Sequence, residues 1–353
     1  METKNNFLIY GAYGYTGELI AELAVKKGLQ PILAGRNVEK TKALADILDL
    51  KWIAFEATDK TALKLALQRE EIKVVLNCAG PFTKTVKEFI PACIAAKVHY
   101  LDITGEIEVF EYAKTQDKEA KEAEIMIMSG VGFDVVPSDC LAKFLKDELP
   151  TATHLELAFM GLAGVSQGTA ITMVENAGAG GMIRENGTIK IVKTAYQTKV
   201  IDYGIKKMNS VAIPWGDVST AFHSTQIPNI KVFMAQPPKA IKAMEMSSYF
   251  SFALKNEFVK GFIKKKIKER EKGPNEEKRD NNHSYLWGKV TDGKNTLEAR
   301  LITPEGYKLT SIAALLITEK VLNSDYKMGY QTPSSTYGKN LILEVEGTEM
   351  TLV

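Results

Sequence analysis

Cysteine is scarce in this chain, with Cys78, Cys93 and Cys140 the only three among 353 residues. Their odd count and wide spacing build neither a disulfide framework nor a metal-ligand cluster, so no metal is expected and the thiols are expected reduced. Net charge is nearly absent too. Forty-five basic residues against 43 acidic ones leave +2, which provides no polyelectrolyte face and argues against a nucleic-acid partner. Long hydrophobic runs are also missing. No apolar stretch approaches the ~20 residues that span a bilayer, and the polar start METKNN is expected to carry no secretory leader. No internal repeat or low-complexity segment stands out. What remains is a 45% hydrophobic share over a length sufficient for two domains, as in an ordinary cytoplasmic globular protein.

Against this background one stretch stands out, FLIYGAYGYTG from Phe7 to Gly17. A short apolar strand runs straight into a glycine triplet, and Leu19, Ile20, Leu23 and Ala24 behind it repeat with helical period up to Gly28. A pyrophosphate can rest on a helix N-terminus only where the backbone comes close and the first amides point at it. Gly11 would make the turn, Gly14 would admit the phosphate and Gly17 would let the helix pack on its strand, with Tyr13, Tyr15 and Thr16 lining the approach. The spacing, G-x-x-G-x-x-G, is one residue wider than the common dinucleotide fingerprint, so the flanking strand and helix carry much of the argument.

The next strand ends in LAGRN, where an NAD site usually places an acidic residue for the ribose 2′-hydroxyl. Arg36 stands there instead, and it suits the 2′-phosphate of NADPH; a solvated surface arginine is the plain alternative. Further strands follow at Trp52–Phe55, at Val74 (VVLNCAGPF), at HYLDITGE and at Ile125–Ser129. Their carboxyl ends bring Cys78, Ala79, Gly80 and Pro81, then Asp102, Thr104 and Glu106, then Asp134, to the level at which open parallel sheets bind ligands. Asp59 can cap the helix behind it and also lie near the adenine edge. Six strands alternating with helical patterns predict an α/β fold with a doubly wound parallel sheet.

Together GAYGYTG, LAGRN, YLDITGE and GFDVVPSD, then SQGTAITM, PWGDVSTAFHST, SYLWGKVTDG, TPEGY and GYQTPSSTYG resemble the saccharopine dehydrogenase-like oxidoreductases. The resemblance is narrower to the branch that holds the trans-acting enoyl reductases, and it runs in order along nearly the whole chain. It implies an NADP(H)-binding Rossmann domain, an inserted α+β domain that covers the nicotinamide and commonly mediates dimers, and a C-terminal segment returning to the first domain. The βα rhythm stops near Pro137 and an amphipathic helix reappears after Pro304, so the expected segments are 1–136, 137–304 and 305–353. The resemblance also implies a homodimer.

Hydride transfer belongs to the nicotinamide, which leaves the protein to orient the ring and manage one proton. The titratable candidates are Asp102, Glu106, Asp134 and His223, and His223 has the intrinsic pKa best suited to proton delivery. Ser166 to Thr169 could present a helix N-terminus to a carboxamide or an anion, or simply cap a helix. Tyr203 and Lys207 match the Tyr-x-x-x-Lys spacing of short-chain dehydrogenases, but they sit in a strand-like stretch interrupted by Gly204, so the match reads as chance. A non-catalytic NADP(H)-binding sensor or scaffold is the rival to an enzyme that reduces C=O, C=N or an activated C=C. Finally, Met246, Phe250, Leu254, Phe258 and Phe262 recur every four residues, broadened by Tyr249, Val259, Ile263 and Ile267, and run into Lys264, Lys265, Lys266 and Lys268. Such a face suits either a buried helix or peripheral contact with an anionic membrane, and the second reading would go with a lipidic small-molecule substrate.

Overall fold

In the computed structural model, which describes residues 7–69, 72–161, 164–176, 178–247 and 256–353, strands and helices alternate from the start. The order is β1 (Phe7–Tyr10), α1 (Tyr15–Lys26), β2 (Ile32–Gly35), α2 (Val38–Leu48), β3 (Trp52–Ala54), α3 (Lys60–Leu67), β4 (Val74–Asn77), α4 (Val86–Ala96), β5 (His99–Asp102), α5 (Ile107–Thr115), α6 (Asp117–Glu122) and β6 (Met126–Met128). Then follow α7 (Val136–Glu148), β7 (His154–Gly161), α8 (Gln167–Glu175), β8 (Gly181–Glu185), β9 (Thr188–Val192), β10 (Thr198–Asp202), β11 (Lys207–Ala212), α9 (Asp217–Thr225), β12 (Asn229–Ala235) and α10 (Pro238–Ser247). The remainder is α11 (Glu257–Lys268), α12 (Glu276–Asn281), β13 (His283–Thr291), β14 (Thr296–Pro304), α13 (Gly306–Leu322), β15 (Gly329–Tyr330), α14 (Pro333–Tyr337) and β16 (Glu349–Leu352).

The first compact unit comprises the chain up to Val136 together with Tyr307–Thr336. Its sheet is parallel throughout, in the order β15-β6-β5-β4-β1-β2-β3. Strands covered on both faces must be apolar along their whole length, and β1, β2 and β4 are buried at every residue. Tyr10 pairs with Ala34 on one side and Asn77 on the other, and Asn77 in turn pairs with Asp102, so the carboxyl ends of β2, β1, β4 and β5 lie level. Tyr10, Phe55, Phe89 and Tyr100 pack ring against ring beneath them. The long helix α13 joins this unit through Thr310, whose Oγ1 accepts from the Phe133 amide at 3.0 Å, and through a 2.8 Å ion pair between Glu319 and Lys27.

The second unit comprises Pro137–Gly306 and Tyr337–Val353. Its sheet is mixed, in the order β10-β11-β12-β7-β13-β14-β16, with the hairpin β8-β9 attached to β12. Only β12 and β7 pair in parallel along that order. Ala158, Met160, Tyr203, Phe233 and Trp287 form a buried cluster on it. The segment 305–353, expected as a single return to the first domain, is instead divided. Its last seventeen residues belong here because β16 adds antiparallel to β14, pairing Ala299 with Leu352 through Ile302 with Glu349.

Candidate cofactor and active site

The glycine stretch folds as its chemistry demands. Gly11 takes φ +81°, and a Cβ there would stand 2.9 Å from Ala79, so only glycine lets the end of β1 pass the end of β4. A Cβ on Gly17 would meet the Gly11 carbonyl oxygen at 2.4 Å, which fixes glycine where α1 crosses its strand. Gly14 is the N-cap of α1 and offers no side-chain hydrogen bond to the first turn. The start of α1 therefore presents backbone amides and the positive end of the helix dipole with no capping side chain at the N-cap position, which fits a pyrophosphate.

Two features around this turn escaped sequence reasoning. Gly35 at the end of β2 has the ring of Tyr13 against it, where a Cβ would come within 2.5 Å. The ring of Tyr15 meets Tyr307 of α13 edge-on at 5.0 Å. The proximity of Tyr13 to residue 35 carries no local pattern, and the second contact spans nearly the whole chain. Arg36 follows Gly35 directly and is exposed. Asp59 is the N-cap of α3 and accepts from the amides of Thr61 and Ala62.

At the neighbouring strand ends the acidic candidates separate by what they touch. Glu106 is buried and accepts from the amides of Phe82 and Thr83 at 2.8 and 3.2 Å, which pins the loop after Pro81. Asn77 holds the other end of that loop, accepting from the Ala79 amide and donating to Thr85 and the Tyr100 hydroxyl. Asp102, fully buried, accepts from the amides of Thr104 and Gly130 and from the Ser129 hydroxyl, and Thr104 in turn accepts from the Glu106 amide. Burial pushes the Asp102 carboxyl up to about 6, and these donors pull against that rise.

Asp134 is different. Its Oδ1 is enclosed without a hydrogen-bond partner among the described residues, and its Oδ2 lies where a Cβ on Gly105 would come within 2.7 Å. Burial alone pushes this carboxyl up to about 7. The Cys78 thiol is also driven upward, by burial and then by Asp102, so it stays protonated at neutral pH and is no nucleophile.

The remaining candidates belong to the second unit. His223 lies in the last turn of α9 beside Phe222, with ring centroids 5.9 Å apart. At the other end of the helix the buried Asp217 accepts from Ser138 at 2.9 Å. Ser166 caps α8 by accepting from the Thr169 amide, and the Gln167 amide donates to the Lys272 carbonyl. That helix start is thus capped by a side chain and tied to a carbonyl of the chain. Tyr203 is buried just after β10, sharing a 2.9 Å hydrogen bond with Ser210, while Lys207 begins β11, so the pair stands on no helix.

Comparison with known proteins accords with this geometry. The family model for the saccharopine dehydrogenase NADP binding domain matches residues 7–128. A trans-acting enoyl reductase of Mycobacterium tuberculosis is 30% identical over 144 residues, which are 39% of this chain and 34% of that protein. A lipid droplet localized protein of Caenorhabditis elegans is 25% identical over 246 residues, 60% of this chain and 57% of its own length. The chain thus covers roughly one third to just over half of these relatives. Among solved structures, the apo saccharopine dehydrogenase (L-Glu forming) of Saccharomyces cerevisiae superposes with a TM-score of 0.66 at 15% identity over 99% of both chains, a likeness of fold. Residues 7–128 of the first unit therefore match a saccharopine dehydrogenase NADP-binding domain, and NADP is the cofactor of that domain.

Proposed function

We propose that this protein is an NADPH-dependent reductase of a C=O, C=N or activated C=C bond in a small, lipid-like substrate, working in the cytoplasm as a homodimer. Two observations in the first unit carry the reading: the glycine-lined start of α1 and, in the loop after β6, the enclosed Oδ1 of Asp134, which has no hydrogen-bond partner among the described residues. NADPH supplies the hydride. Asp134 supplies the proton: a carboxyl held at about 7 is protonated often enough to donate near neutral pH, and basic enough to be recharged. Glu106 and Asp102 act on the backbone, fixing the loops after β4 and β6 around it.

The relatives' names favour a lipid-like acceptor, one being an enoyl reductase and the other localized to lipid droplets. Saccharopine is disfavoured, since a dicarboxylate substrate calls for arginine forks. In the second unit Arg184 is buried, with Nε on the Val218 carbonyl and a terminal nitrogen on that of Gly187, and Arg300 holds Asp202.

The test is a fluorescence titration with NADPH and NADH, followed by NADPH oxidation across a panel of aldehydes, imines and enoyl thioesters, guided by mass spectrometry of any small molecule that co-purifies. Tight NADPH binding with turnover of an enoyl or carbonyl substrate is expected. Binding without oxidation of any panel member would make the protein a sensor or scaffold, and turnover of saccharopine would overturn the substrate class.

A further inference from the structure

Helix α11 wears its aromatic residues on the outside. Phe258 is 86% exposed and Phe262 58% exposed, whereas Ile267 is buried and Ile263 half-buried. At 100° per residue Phe258 and Phe262 share one face with Lys265 and Lys266 on either side, and Ile263 and Ile267 occupy the opposite face. Two lysines turn inward: Lys260 donates to the Glu175 carbonyl at 2.8 Å and Lys264 pairs with the Glu175 carboxylate at 2.6 Å, which fixes α11 against the end of α8. The outer face is thus not a core face awaiting its neighbour, because the helix already has one. Lys266 stands 5.0 Å from the Phe262 ring centroid, and its long stem shields an aromatic that the protein itself leaves in water. Of the longer stripe suggested by the sequence, Tyr249, Phe250 and Leu254 lie outside the described residues, and Met246 in α10 is 53% exposed.

Charge chooses the occupant. Between residues 260 and 272 the chain carries seven bases and only Glu269 and Glu271 as acids. Lys265, Lys266, Lys268, Arg270 and Lys272 are all exposed. A second copy docking here about a two-fold axis would set the same lysines against themselves. A sheet of anionic headgroups over acyl chains meets both demands, charge for the lysines and hydrocarbon for the rings.

We propose that α11 is a membrane-docking helix, which lays Phe258 and Phe262 into the acyl boundary of an anionic lipid surface while Lys265, Lys266 and Lys268 bind its headgroups. This rests on the second unit alone and is independent of the reductase reading.

The experiment is co-sedimentation of the full chain with phosphatidylcholine vesicles, with and without about one-third phosphatidylserine, at low and high salt. The variants are F258S/F262S and K265Q/K266Q/K268Q. All five side chains are exposed, so circular dichroism melts should match the parent. Expected are binding to anionic vesicles that fades with salt, a loss of at least tenfold for the phenylalanine pair, and about fivefold per lysine removed, the equivalent of about 1 kcal/mol each. Absence of binding to anionic vesicles at low salt would overturn the proposal, as would binding unchanged in F258S/F262S. Sedimentation velocity completes the test: a dimer dissolved by F258S/F262S without vesicle binding would assign the face to a second copy instead.

Discussion

Replacing Asp134 with asparagine keeps the shape of the side chain and removes its proton, so it separates two consequences of one buried carboxyl. In the folded chain the group titrates at about 7 against an ordinary 3.8, and a tenfold change in proton affinity corresponds to about 1.36 kcal/mol. Keeping Asp134 ionised above neutrality therefore destabilises the fold by up to about 4 kcal/mol. The asparagine amide needs hydrogen bonds of its own, and leaving them unmade costs about 1–3 kcal/mol. The net expectation is a gain of about 1–3 kcal/mol for D134N at pH 8. Because the folded-state pKa is raised, the native protein keeps a proton between pH 4 and 7 that the unfolded chain has lost, and its stability falls as pH rises through that window. The variant lacks that slope, so its advantage disappears between about pH 5 and 6 and turns into a deficit near pH 4. Urea denaturation at pH 4.5 and pH 8, with the m-value required to stay constant, reads the difference directly. In the same variant NADPH binding is expected within about threefold of the parent while turnover falls ~10²–10⁴-fold, the usual contribution of a positioned acid. Undiminished turnover would refute the proton-donor role, and a loss of stability at pH 8 would show that the carboxylate is well partnered when folded.

Three further outcomes follow from named contacts. Gly17→Ala sets a methyl 2.4 Å from the Gly11 carbonyl oxygen; it should destabilise the fold by about 1–3 kcal/mol and abolish NADPH binding in a fluorescence titration. Arg36→Ala should cost NADPH roughly ten- to a hundredfold in affinity and leave NADH nearly unchanged, the worth of a charge-assisted bond to the 2′-phosphate; equal losses would remove Arg36 from that role. His99, whose Nδ1 accepts from the Met126 amide, is lowered by burial from 6.5 to about 4. Its contribution is present above pH 6.5 and is lost as pH falls toward 4, so His99→Gln should lessen the decline of the urea midpoint across that range.

The sequence disclosed what is local and left obscure what is joined across distance. Parallel strands buried on both faces advertise themselves as apolar runs, and β1, β2 and β4 are such runs. The two-residue β15 carries no such signal, and β16, mostly exposed along its length, has no apolar face to tell which sheet it joins. The glycine turn is legible because its three glycines and the clash of Gly17 with the Gly11 carbonyl lie within seven residues, although the clash that fixes Gly11 comes from Ala79. Glu106 is not, since the amides it fixes lie 23 and 24 residues away, and an acid at a strand end looks the same whether it anchors a loop or moves a proton. The phenylalanine repeat of α11 illustrates the same limit: spacing establishes that Phe258 and Phe262 share a face, but only the pairing of Lys260 and Lys264 with Glu175 reveals that this face points outward.

Asp102 and Asp134 bring the point to the chemistry. Asp102 ends β5, Asp134 lies in the loop after β6 and both are raised by burial, so pattern and titration alone would make them equivalent acids. Their partners divide them. Asp102 is surrounded by donors from Thr104, Ser129 and Gly130, which offset part of the cost of its burial and hold the chain as it leaves β6. Gly130 in turn accepts from the Val135 amide, so the loop that carries Asp134 is tied back to the residue that Asp102 grips. Asp102→Asn would turn an acceptor of three hydrogen bonds into a group with one acceptor oxygen, and the loop bearing Asp134 would loosen. The two substitutions should then part company: D102N losing stability and turnover together, D134N losing turnover while gaining stability above pH 7. A double variant would separate them further, because once Asp134 has no proton to place, loosening its loop should lower turnover little more, although the loss of stability from D102N would remain.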